Sequence, residues 1–161
     1  MRYLAVDVGN KRTGLAMGDS ETGIVSPTGL IEAPMANREG VLLIEAIGRA
    51  GDEHLGSDPR REPGELVRGL PRNMDGTEGH QAKLVRALGA RVAARTRRVV
   101  HYQDERLTSV EADWSMAQSG MTHGQKKQRR DSLAAAAILR DFLAGESANA
   151  AGSADDELHE D

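Results

Sequence analysis

An α/β fold with a mixed five-stranded sheet flanked by helices follows from three features of the sequence. Three short apolar segments joined by tight turns open the chain. Helical and extended patterns then alternate. The length of 161 residues fits one domain and leaves little room for two.

Arg2 to Val8 alternates as a strand, with Tyr3, Ala5 and Asp7 on one face and Leu4, Val6 and Val8 on the other. Gly9-Asn10-Lys11-Arg12 is turn chemistry, and Thr13 to Gly18 reads as the second strand. After Gly23, Ile24 to Ile31 gives a third strand interrupted by Pro27, completing an antiparallel meander. Val41 to Ala50 carries Val41, Ile44 and Ile47 at helical spacing, although Gly40, Gly48 and Gly51 weaken that helix. Gly51 to Gly64 is polar and contains prolines, so it reads as a loop. Glu65 to Leu70 is a short strand, and Arg68 interrupts its apolar run. Thr77 to Ala94 is a better helix, with Leu84, Val85, Leu88 and Val92 as one stripe. Arg98 to Tyr102 is a strand. Val110, Trp114, Ala117 and Met121 fall at i, i+4, i+7 and i+11, predicting a further helix, and a last one covers about Gln128 to Leu143. The order β-β-β-α-β-α-β-α-α combines a meander with parallel strands. In such sheets ligands sit at the carboxyl ends of the strands.

Composition narrows the chemistry. The chain has no cysteine, which excludes a disulfide scaffold, an iron–sulfur site and a thiol nucleophile, and fits a reducing compartment. No apolar run approaches the roughly 20 residues of a membrane helix, and the N-terminus reads as a strand rather than a signal peptide. A cytoplasmic location is the expectation. The formal net charge of −4 is unevenly spread: the last sixteen residues hold six acids and no Lys or Arg, leaving 21 basic against 19 acidic residues in the rest. The expected domain is therefore residues 1–144, followed by a disordered acidic tail at 145–161. The body, near +2, permits nucleic-acid binding without demanding it. With one Phe, one Trp and two Tyr, contact would run through phosphates and shape rather than stacked bases.

Three acids stand out. Asp7 ends an apolar strand just before Gly9; a carboxylate there is costly unless offset, as by a metal ion, though it also suits a simple turn cap. Asp104 and Glu105 follow the strand Arg98–Tyr102, where paired acids suit metal ligation or stabilise a helix start. Thr108 and Glu111 resemble a capping box of the next helix. Asp131 precedes an Ala-rich helix whose positions at +4, +7 and +11 are Ala135, Ile138 and Phe142, so it points inward; capping a helix that starts at Ser132 is the competing reading. Three carboxylates from distant segments, meeting at one sheet edge, would meet the need of two-metal phosphodiester cleavage, with Mg²⁺ or Mn²⁺ on hard oxygen ligands and no protein nucleophile. Lys11 and Arg12 flank Asp7 and can hold a phosphate, and Lys126 to Arg130 is a basic run beside Asp131; both also read as ordinary surface charge. The five histidines show no ligand spacing. Met35, Met74, Met116 and Met121 read as packing residues. Residues 69–76 read as a loop on the rim of the cleft, with Asp75 a reserve acid.

Four blocks, taken together, resemble the YqgF/RuvX family: Asp7-Val-Gly-Asn-Lys-Arg-Thr-Gly-Leu-Ala16, Gly69-Leu-Pro-Arg-Asn-Met-Asp-Gly76, Asp104-Glu-Arg-Leu-Thr-Ser109 and Asp131-Ser-Leu-Ala-Ala-Ala-Ala-Ile-Leu139. They stand in the family's order and span residues 1 to about 143. The resemblance implies an RNase H-like fold related to Holliday-junction resolvases, and a nuclease maturing the 5′ end of precursor 16S ribosomal RNA. It also implies that Asp7, Glu105 and Asp131 are the acidic catalytic and metal-binding set, supported by the turn residues Gly9, Arg12 and Gly14. The expected nucleic-acid contacts are Lys11, Arg12, Arg106, Lys126, Lys127, Arg129 and Arg130. The expected partner is precursor rRNA, with branched DNA as the alternative, and the expected state is a monomer or homodimer. In this family Arg68 stands where the strand is usually more apolar. A DNA junction resolvase and a non-catalytic assembly factor are the other readings. An actin-like phosphotransferase is set aside, because it needs a second domain and a second phosphate loop.

Overall fold

The computed structural model describes residues 1–9, 11–34, 40–105 and 122–156, with the backbone alone described at 123–129 and 151–156. Five strands form one sheet: β1 (Arg2–Val8), β2 (Thr13–Asp19), β3 (Val25–Ile31), β4 (Gly64–Leu70) and β5 (Val100–Asp104), in the order β3-β2-β1-β4-β5. The first three are antiparallel neighbours, while β4 runs parallel to β1 and β5 parallel to β4. This is the predicted mixed sheet. Helices α1 (Val41–Leu55), α2 (His80–Thr96) and α3 (His123–Asp156) accompany it.

Alternation along β1 divides the core. Leu4 and Val6 pack with Leu43, Ile44, Ile47, Leu88 and Val92, the side of α1 and α2. Tyr3 and Ala5 pack with Ala135, Ile138, Leu139 and Phe142, the side of α3. Asp7 continues this second face. Helix α3 lies close along β2 because the residues facing it are small. A Cβ on Gly14 would strike the main-chain carbonyl of Asp131, and one on Gly18 would sit 2.8 Å from the Leu139 side chain. The edge strand β3 accommodates Pro27, which lacks an N–H, beside a register shift opposite Leu15 and Ala16.

Several expectations need correction. Helix α1 continues through Gly48 and Gly51 to Leu55. Both glycines face the end of α2: a Cβ on Gly48 would come 2.9 Å from the Arg95 guanidinium carbon, and one on Gly51 would touch Thr96. Close helix packing thus offsets their poor propensity. The buried side of α2 is formed by Ala82, Leu88, Gly89 and Val92, whereas Leu84 is exposed, as is Val41 on α1. Strand β5 begins at Val100, because Arg97 takes a left-handed conformation that ends α2 and Arg98 turns inward. The Arg98 guanidinium donates to the carbonyls of Gly56 (2.6 Å), Glu62 (2.9 Å) and Gly64 (3.0 Å), tying down the loop after α1. Helix α3 starts at His123 and runs to Asp156, so the segment expected to lose structure from 145 is helical that far; residues 144–150 are exposed. Met74 is 94% exposed rather than packed. His101 is structural: it pairs with Glu65 and its ring packs in a three-ring cluster with Tyr3 and Phe142. The helix expected at Val110–Met121, with Thr108 and Glu111, lies outside the described residues.

Candidate active site

Strands β1, β4 and β5 run in the same direction, so their carboxyl ends share one edge of the sheet. Asp7 is the penultimate residue of β1, and Glu105 immediately follows β5. The β1–β4 ladder ends at the Val6–Arg68 pair, and Asp7 and Gly69 are the next residues of the two strands. On the other side Asp7 pairs with Gly14 of β2. Both flanking residues therefore lack a side chain, and each vacancy is filled by a partner. A Cβ on Gly69 would collide with the Glu105 carboxylate, and one on Gly14 with the Asp131 main chain. Two glycines thus let Glu105 lie over β4 and let α3 bring Asp131 down beside Asp7.

The three acids interact through their charges. The Asp7 carboxyl is pushed up to about 7, first by burial, then by the negative charges of Glu105 and Asp131, with Arg68 pulling it down. Glu105 is also raised, chiefly by burial, with Arg68 opposing and Asp104 adding to the shift. Such a set resists holding all its negative charge at once. Asp131 is half-buried and lies inside α3, so it does not cap a helix starting at Ser132. Its successors Ala135, Ile138 and Phe142 are buried, as the helical spacing predicts. Asp104 pairs with Leu70, on the alternate that also contains Tyr102, so it faces away from the Asp7 side. Asp75 accepts hydrogen bonds from the Thr77 amide (3.0 Å) and hydroxyl (2.6 Å), an engagement in a turn.

The remaining candidates divide. Gly9 closes the β1–β2 turn by donating its amide to the Arg12 carbonyl at 2.8 Å; a Cβ there would sit 2.8 Å from the same oxygen. Gly14 belongs to strand β2 rather than to the turn. Lys11 is exposed and Arg12 half-buried in the turn after β1, and Arg130 is exposed and precedes Asp131 in the chain. Lys126, Lys127 and Arg129 lie on the first turns of α3, while Arg106 falls outside the described residues. Sequence reasoning missed Arg68, which is 3% exposed and donates from Nη1 to the Val85 carbonyl at 2.8 Å. It also missed the part played by Gly69, whose only signal was a glycine inside an apolar strand.

Among the described residues no group of three or more His, Asp or Glu side chains converges closely enough to hold a metal ion. The donor chemistry nevertheless fits a hard divalent cation. A buried carboxylate is flanked by two others whose repulsion such an ion would relieve, and all the donors are oxygens. Among the described residues no helix is long and apolar enough to cross a membrane.

A mixed sheet in this strand order, with Asp7 and Glu105 at the carboxyl ends of its parallel strands, defines an α/β protein with an antiparallel meander joined to two parallel strands. The chain belongs to the RuvX family: residues 1–145 match the family model described as "Holliday junction resolvase". A protein of Oenococcus oeni is 36% identical over 145 residues, covering 89% of this chain and 94% of its own length. One of Opitutus terrae is 39% identical over 145 residues, covering 89% and 91%. Both bear the name "Putative pre-16S rRNA nuclease". The solved structure of Thermus thermophilus RuvC with a Holliday junction substrate matches 88% of this chain and 94% of its own, at 12% identity and a TM-score of 0.48.

Proposed function

We propose that this chain is a divalent-metal-dependent nuclease of the cytoplasm that processes the 5′ end of precursor 16S ribosomal RNA. The observation that supports the reading is the placement of the Glu105 side chain against Gly69 and of the Asp131 main chain against Gly14, the β2 partner of Asp7. The names of the relatives from Oenococcus oeni and Opitutus terrae support the substrate. Asp7, Glu105 and Asp131 would hold Mg²⁺ or Mn²⁺ through carboxylate oxygens. The bound ion would supply an activated water and charge stabilisation for the leaving oxygen. Asp7 is the central ligand, fixed by its strand on both sides. Glu105 and Asp131 approach it from either flank. Lys11 and Arg12 hold a backbone phosphate, and Arg106, Lys126, Lys127, Arg129 and Arg130 are the further contacts to RNA phosphates. Gly9 shapes the turn that carries Lys11 and Arg12.

The family description favours one second reading, cleavage of a four-way DNA junction. That activity needs two sites related by a two-fold axis, so a stable homodimer would favour it and a monomer would favour RNA. The test is cleavage of labelled precursor 16S RNA carrying its 5′ leader, with Mg²⁺ or Mn²⁺, beside a DNA junction, an EDTA control and Asp7→Asn. Leader cleavage lost in both controls is the expected result, with Asp7→Asn slower by about a hundredfold or more. RNA binding without cleavage, undiminished in Asp7→Asn, would replace the enzyme with an assembly factor.

A further inference from the structure

We infer that Arg68 is a built-in countercharge for the acidic cluster, a buried guanidinium beneath Asp7 and Glu105 that competes with a bound divalent cation for their charge. The competition rests on the metal-site reading above; the countercharge itself does not.

Arg68 stands in the middle of the parallel part of the sheet, paired with Val6 on one side and Tyr102 on the other. Val6 precedes Asp7, and Gly69, the residue after Arg68, is the one that Glu105 overlies. By strand alternation Arg68 faces α2, where its Nη1 reaches the Val85 carbonyl, while the acids occupy the opposite face. One thickness of sheet separates the cation from the carboxylates, and its charge interacts with its strand neighbour Tyr102 and, through the sheet, with both Glu105 and Asp7. Hydrogen bonding offsets the burial of this side chain only in part, since Nη1 reaches the Val85 carbonyl while Nε is buried with no partner. A guanidinium so placed is costly beside an apolar side chain of similar volume unless a field of opposite sign offsets the cost. The acids supply that field. In the empty protein the guanidinium eases their mutual repulsion; when a cation arrives, the two positive charges repel.

Two measurements on the full chain test this at pH 8. The first is a double-mutant cycle in EDTA, melting wild type, Arg68→Met, Asp7→Asn and the double variant. Arg68→Met should lower the melting temperature of the wild type by about 3 °C or more beyond its effect in the Asp7→Asn background. If Arg68→Met alone does not fold and the double variant does, the countercharge stands. Equal loss in both backgrounds, or failure of both to fold, overturns it in favour of a purely structural arginine. The second is Mn²⁺ binding measured directly. Wild type should bind and Asp7→Asn should not. Arg68→Met should bind about three- to tenfold tighter, and the charge-preserving Arg68→Lys should return to within about twofold of wild type. A wild type that binds Mn²⁺ while a folded Arg68→Met binds no tighter overturns the competition. A wild type that binds no Mn²⁺, with coupling present in the cycle, overturns the metal reading and the competition while keeping the countercharge.

Discussion

At the scale of single residues, the ionisation of Asp7 links stability to pH. The carboxyl, ordinarily near 3.8, is pushed up to about 7 in the fold by burial and by its two acidic neighbours. Between those values the folded chain holds a proton that the unfolded chain has released. The contribution to stability is therefore complete below about pH 4 and is lost as pH rises through about 7. Asp7→Asn removes this dependence. In EDTA its melting temperature should match that of wild type near pH 4 and exceed it at pH 8, by the equivalent of about 2–4 kcal/mol. Thermal melts across that range check the crossing, and parallel curves would contradict it. Saturating Mg²⁺ at pH 8 should then stabilise wild type and leave Asp7→Asn unmoved, since only a folded site binds the ion. The side on which Asp7 lies was legible in the sequence, because the alternation from Tyr3 to Val8 puts it with Ala5. The burial of Arg68 was not. A charge inside a short strand reads as an interruption, and its offsetting partners lie in β1 and after β5, far away in sequence.

At the scale of elements, the glycines beside Asp7 divide the labour of assembly, and their substitution should separate two failures. Gly14→Ala sets a methyl against the main-chain carbonyl of Asp131, which cannot rotate away. Helix α3 must lift from β2, so the variant should lose about 1–3 kcal/mol of stability together with cleavage. Gly69→Ala meets the flexible Glu105 side chain first. It should melt within a few degrees of wild type yet cleave precursor RNA poorly, because Glu105 is displaced from Asp7. Denaturant unfolding beside the cleavage assay distinguishes the two; equal stability losses would contradict the division. A third substitution concerns the opposite end of the sheet. Arg98→Met leaves the carbonyls of Gly56, Glu62 and Gly64 without their shared donor and should destabilise by about 3 kcal/mol. The types of the described strands and helices were legible from period alone, including the meander and the buried side of α3. Their limits were less so where long-range packing decides. Gly48 and Gly51 look like helix breakers until Arg95 and Thr96 are seen against them. Arg98 looks like the start of a strand until its three distant carbonyls are known.

At the scale of the molecule, charge and core separate along the chain. The apolar face of α3 ends at Phe142 and Leu143, the family match ends at residue 145, and residues 144–150 are exposed. Helical backbone nonetheless continues to Asp156. Composition predicted the polarity of this tail but not its helix, since an Ala-rich stretch joined to a packed helix can extend it without a core of its own. Six of the chain's 25 acidic residues lie in the last sixteen, beyond the body that carries every Lys and Arg. Among the described residues the apolar core ends at Leu143. A chain ending at residue 147 should therefore keep its unfolding free energy within about 0.5 kcal/mol of the full chain. Its precursor RNA cleavage with Mg²⁺ should also be unchanged at physiological salt. Long-range repulsion between the tail's acids and RNA phosphates would appear only where screening is weak. Affinity of the shortened chain should thus exceed that of the full chain by at most about threefold at 50 mM salt, and the gap should close by 200 mM. A larger gain that persists at high salt would mean that the tail occupies the basic path directly, as a competitor for the phosphates of the RNA.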